Sequence, residues 1–215
     1  GKFLDRNKDL YGPDIVSDYA IDFIQRNKEK PFFLYYPMLL AHDPFVPTPD
    51  SKEWSNPNLR YKKNNLFFKD MVEYMDKIVG KIVQELKAQG IEDNTLIIFL
   101  GDNGTNRTLV TKTVNGDVKG AKGNTITHGV HVPMIASWPT KIKKPIIYDG
   151  VVDLTDFYAT FSDILNVSND SDGKSLAHVF YGNKKNIRET VTIYYDPKWS
   201  IYVDRYRNIF SQDKR

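Results

Sequence analysis

The residues that could do chemistry stand where apolar runs stop. Residues 96–100, Leu-Ile-Ile-Phe-Leu, form an unbroken apolar run, and Gly101, Asp102, Asn103 and Gly104 follow at once. Such a run is too short to cross a membrane and reads as a strand buried on both faces. Its end sets a carboxylate and a carboxamide at the C-terminal edge of a sheet, which is where ligands sit in open α/β sheets. Oxygen donors of this kind suit Ca²⁺ or Mg²⁺ better than zinc. The plainer reading is a turn, since Asp, Asn and Gly are the residues that turns prefer. His42 follows a second apolar run, residues 31–37, and a histidine there can give or take a proton near neutral pH. Lys122 lies in Gly-Ala-Lys-Gly, where small neighbours let backbone and ligand come close. The plainer readings are a structural histidine and an exposed loop lysine. His128 and His131 are three apart and precede a strand, with no cysteine nearby. They do not read as a zinc pair; one lines a pocket and the other packs.

Composition bounds the partners. The chain has 215 residues, enough for a real core, and a net charge of only +3 spread evenly, which argues against nucleic acid. No apolar run approaches the ~20 residues of a membrane helix. Cysteine is absent, which removes disulfides and thiolate chemistry from this stretch and leaves the redox compartment open. Asn-x-Ser/Thr sequons at Asn103, Asn106, Asn166 and Asn169 read as coincidences of an Asn-rich chain. No signal peptide is recognisable at the N-terminus, and the chain does not begin with Met.

The elements that must position these residues follow from periodicity. Apolar residues recur at helical spacing over residues 14–30, starting near Pro13 and ending before Pro31. Residues 31–37 read as a buried strand, after which Pro44, Pro47 and Pro49 keep the backbone extended. Residues 50–68 read as a polar surface excursion. The clearest helix spans 69–89, with Met71, Met75, Ile78, Ile82 and Leu86 on one stripe and Gly90 as its stop. The strand at 96–100 follows, then a Gly-, Thr- and Asn-rich stretch that does not match a phosphate-binding loop. A third strand lies within 132–139 and an amphipathic helix within 153–165. Alternation of helix and strand predicts an α/β fold with a mostly parallel central sheet and helices on both faces. A polar break begins at Asn166. Beyond it, residues 190–195 and 201–206 read as strands about an Asp-Pro-Lys turn, the start of a small C-terminal antiparallel sheet.

Taken together, these segments resemble the sulfatase family, the formylglycine-dependent members of the alkaline-phosphatase-like superfamily. Four pieces in the family's order carry the likeness. They are Pro-Phe-Phe-Leu-Tyr-Tyr-Pro with His42 after it, Gly-Asp-Asn-Gly at 101–104, Gly-x-Lys-Gly leading to Val-Pro-x-Ile-x-x-Trp-Pro, and the helix from Asp156 followed by Asp-Gly-Lys-Ser-Leu. The likeness runs from about Asp14 to Gly182. It implies that Asp102 and Asn103 are two ligands of a metal, usually Ca²⁺ with Mg²⁺ as the alternative. It also implies that Lys122 contacts the sulfate, that His42 stands beside the scissile ester oxygen, and that His128 joins them at the substrate. Residues 1–166 would then be the C-terminal part of the α/β catalytic domain, and 167–215 the beginning of a small C-terminal subdomain.

The departures bear on function. The family builds formylglycine from a Cys or Ser in C-x-P-S-R, and this chain has no such motif. Also missing are the paired aspartates that complete the metal site. The resemblance therefore implies a missing N-terminal half of the same enzyme, so that the 215-residue chain alone is inactive. The expected whole enzyme cleaves a sulfate monoester of a small molecule or glycan, in a periplasmic, secreted or lysosomal setting. His131 stands where many members have Arg. Two alternatives stay open: a phosphodiesterase or phosphonate hydrolase of the same superfamily, and a non-catalytic module that binds sulfated glycans.

Overall fold

Helical periodicity in the first part of the chain produces α1 (Gly12–Asn27) and α2 (Phe67–Ala88). The computed structural model describes residues 10–193 and 208–209. These divide into two compact units, Gly1–Asp93 and Asn94–Arg215.

In the first unit α1 and α2 pack together, burying Ala20 and Ile24 of one and Met71, Tyr74, Ile78 and Leu86 of the other. The Tyr74 hydroxyl reaches both carboxylate oxygens of Asp14, at 2.8 and 2.9 Å, so the buried phenol is satisfied at the helix interface. Tyr11 meets Tyr74 and Trp54 edge-on, with ring centres 5.2 and 5.3 Å apart. Gly90 ends α2 as expected. It adopts φ 71°, its amide bonds to the Lys87 carbonyl, and Ile91 bonds back to Leu86.

One expectation for this unit is corrected. Residues 31–37 form no strand. They keep a strand's alternation, with Phe33 and Tyr35 exposed at 70% and 77% while Phe32, Leu34 and Tyr36 are half-buried. Among the described residues, though, none of the sheets includes them, and a strand exists only as half of a pair. The 50–68 stretch lies at the surface as expected, with only Arg60 buried. It holds a short 3-10 helix, Lys52–Ser55, and a buried Arg60 whose guanidinium lies 4.6 Å over the Trp54 ring.

The second unit contains, in order, β1 (Ile97–Leu100), β2 (Val110–Thr113), β3 (Gly116–Lys119) and α3 (Thr127–Val130). Then come β4 (Met134–Ser137), α4 (Asp156–Ile164), α5 (Ala177–Phe180), β5 (Thr192–Ile193) and β6 (Asn208–Ile209). Among the described residues three two-stranded sheets form, all antiparallel: β1 with β4, β2 with β3, and β5 with β6. No parallel pair occurs among the described residues, unlike the predicted sheet. The reason lies in the connection. A parallel return needs a long crossover helix, whereas residues 101–133 hold only loops, a hairpin and the four-residue α3.

Strand β1 is half-buried rather than buried on both faces. Leu96, Ile98, Met134 and Ala136 pack on the core of Leu176, Val179 and Phe180. On the opposite face the period of two turns out Phe99 and its partner Ile135, and Ile135 is 64% exposed. At the head of α4 the fully buried Asp156 accepts from the amides of Asp153 and Lys174, at 2.8 and 2.7 Å, and from Arg188. The β5–β6 pair is a small antiparallel piece like the one predicted. The strand at 201–206 and its Asp-Pro-Lys turn lie outside the described residues.

Candidate active-site loops

At the end of β1 the ladder continues one step, from the Gly101 amide to the Pro133 carbonyl at 3.1 Å, and then the chain turns outward. Asp102 and Asn103 are both exposed there. Gly104 returns the chain to α3 through a 2.9 Å bond from its amide to the Gly129 carbonyl. A Cβ on Gly104 would overlap the His128 carbonyl oxygen, so glycine is required by close approach of two backbones.

Lys122 is bound to the same loop. Its amide donates to the Thr105 carbonyl at 3.0 Å, two residues beyond Asn103. Its own carbonyl accepts from Arg107 Nε at 2.6 Å, and Arg107 Nη2 reaches the Gly123 carbonyl at 2.9 Å. Gly120 presses on Asn106 so closely that a Cβ would overlap the Asn106 carbonyl. The structure thus joins the backbones that carry Asp102, Asn103 and Lys122, although 18 positions separate Lys122 from Gly104 in the chain.

His128 lies in α3 with its side chain exposed, and its carbonyl backs Gly104. His131 is exposed too, its amide bonding to Thr127 at 2.8 Å. His42 belongs to the first unit and follows a turn closed from its amide to Leu39 at 2.9 Å. Its Nδ1 lies 2.7 Å from the Asp43 carbonyl. A carbonyl only accepts, so this contact is a hydrogen bond in the tautomer that carries the proton on Nδ1.

The donor set fits a hard cation in part. Asp102 and Asn103 offer adjacent, accessible oxygens, whereas Ca²⁺ prefers 6–8. Among the described residues no group of three or more His, Cys, Asp or Glu side chains could hold a metal ion. Two features escaped the sequence reading. One is the β2–β3 hairpin, signalled by Asn115-Gly116 between β-branched residues. The other is Arg107, which no local pattern marks.

Comparison with known proteins bears on these loops. A family model described as Sulfatase matches residues 6–167. Human arylsulfatase H is 31% identical over 173 residues, covering 76% of this chain and 29% of the relative. The N-acetylgalactosamine-6-O-sulfatase of Bacteroides thetaiotaomicron is 30% identical over 162 residues, covering 71% of this chain and 30% of the relative. The crystal structure of PsFucS1 sulfatase from Pseudoalteromonas sp. superposes with a TM-score of 0.68 at 29% identity, covering 85% of this chain and 37% of that one. Ps i-CgsB gives a TM-score of 0.71 at 29% identity, over 86% of this chain and 41% of its own. The chain therefore spans about a third of the length of these relatives.

Proposed function

This chain belongs to the sulfatase family, and from that premise we propose that the whole protein hydrolyses a sulfate monoester to an alcohol and sulfate. The observation that supports this most is the bond from the Lys122 amide to Thr105, which ties a lysine loop to the loop of Asp102 and Asn103. Asp102 and Asn103 would hold Ca²⁺ as two of its oxygen ligands, and the bound cation would neutralise charge on the sulfate oxygens. Lys122 supplies a compact positive charge to the sulfuryl group. The family likeness gives His42 the role of the histidine beside the scissile ester oxygen, where an imidazole can supply the proton that a departing alkoxide needs. His128 lines the substrate side of the Lys122 loop. Formylglycine would be the nucleophile, supplied from outside this chain together with the remaining metal ligands and the strands that would make the central sheet mostly parallel.

The proposed substrate is a sulfated sugar, since one relative is named as an N-acetylgalactosamine-6-O-sulfatase. A periplasmic, secreted or lysosomal setting goes with that substrate. The test compares a chromogenic aryl sulfate and a sulfated sugar with the matching phosphates on the full-length enzyme. Sulfate turnover that falls at least ~100-fold in Asp102→Ala and Lys122→Ala variants is expected. Preferential phosphate hydrolysis, or saturable binding without turnover, overturns the reading.

A further inference from the structure

We infer that Arg107 is a positioning residue for Lys122: its guanidinium clamps two consecutive carbonyls of the lysine loop and fixes where the Lys122 side chain leaves the backbone. The inference rests on the role proposed for Lys122, and it begins with the local turn. The Asn106 side-chain oxygen accepts from the Thr108 amide and hydroxyl, both at 2.9 Å, and the Asn106 carbonyl accepts from Leu109 at 3.1 Å. This turn closes on itself and presents Arg107 at its head.

From there the fork reaches Lys122 O at 2.6 Å through Nε and Gly123 O at 2.9 Å through Nη2. With the Lys122 amide already held by Thr105, the residue's backbone is tied at both ends to the segment that follows Asn103. Gly120 on Asn106 and the Asn124-to-Ala121 bond at 2.9 Å leave the loop little room to slide. The Lys122 side chain therefore leaves the backbone from a fixed root. Arginine suits this task because its planar donors match two neighbouring acceptors at once, which a lysine ammonium does as a single point. Displacing a catalytic group by about 1 Å costs on the order of 100-fold in rate. A distant cation that merely sets the backbone can therefore matter as much as one that touches the ester.

The experiment is a double-mutant cycle in the full-length enzyme, with matched formylglycine content. Arg107→Ala and Arg107→Lys are each expected to lower kcat about 10- to 100-fold, with KM little changed. In a Lys122→Ala background the further loss from Arg107→Ala should shrink to less than about threefold. Full activity in Arg107→Lys would mean that charge alone matters, and an undiminished loss in the Lys122→Ala background would mean that Arg107 acts independently. Either result overturns the inference. Amide exchange separates this failure from that of the sulfatase reading. Without any sulfatase turnover, Arg107→Ala should still speed exchange at Lys122 and Asn124, and unchanged protection there removes the clamp.

Discussion

Each of the two units of this chain is stabilised internally by different means. In the first, side chains meet side chains: an apolar stripe on α2 packs on α1, and the Tyr74 phenol closes on Asp14. Surface pairs such as Lys77–Asp50 and Gln25–Glu85 add little by comparison. In the second unit, backbone meets backbone around the candidate site, through Gly104 on Gly129, Lys122 on Thr105 and Gly120 on Leu109. The helix pair can trade one apolar group for another with repacking, whereas the loops have no space to trade. A loop made of bonded backbones holds its register without a bulky core, which suits the role proposed for it.

Four substitutions can break or sharpen that contrast. The largest effect is expected from Asp156→Ala. It strands the mostly buried Arg188 and two amides, and should destabilise the second unit by about 3–5 kcal/mol. Urea unfolding monitored by residue-resolved hydrogen exchange measures it, and equal loss of protection in α1 and α2 would contradict independent support. Ile78→Ala removes a buried side chain from the helix pair and should cost about 2–5 kcal/mol there. Retained protection across 101–131 in that variant would sharpen the division. Gly104→Ala adds one methyl where two backbones touch, an overpacking of about 1–3 kcal/mol. Its signature is a loss of turnover larger than its loss of melting temperature.

The smallest effect is electrostatic and belongs to the first unit. Burial, and then the neighbouring Asp14 charge, pushes the Tyr11 phenol up to about 12. Tyr74 moves the same way, from burial and its hydrogen bond to Asp14. An unfolded phenol releases its proton near pH ~10, so between there and about 12 the native state holds more protons. Stability is therefore full below pH ~10 and declines as pH rises through that window. Tyr11→Phe should flatten the decline, and an unchanged alkaline slope in urea titrations would remove Tyr11 as its source.

Much of the scaffold is legible in the residues. The stripe from Met71 to Leu86, the stop at Gly90, and the apolar run ending at Leu100 each predict an element that forms within a residue or two. A likeness in Gly-Asp-Asn-Gly and Gly-x-Lys-Gly points to the family that comparison then finds. Residues 31–37 show the limit. Their composition says strand, but pairing depends on a partner that local sequence does not contain. Arg107 shows it again, since its significance is a contact with a carbonyl 15 positions away.

What the sequence determined alone is periodicity and residue type: which segments coil, where apolar runs end, and which oxygens, amines and imidazoles stand at those ends. Those properties are local, set by side-chain spacing and backbone freedom. Only the tertiary structure decided that β1 and β4 run antiparallel, that one face of their sheet stays open, and that Arg107 grips the lysine loop. Each depends on non-local pairing, where chain closure and packing choose among partners that the sequence leaves equivalent.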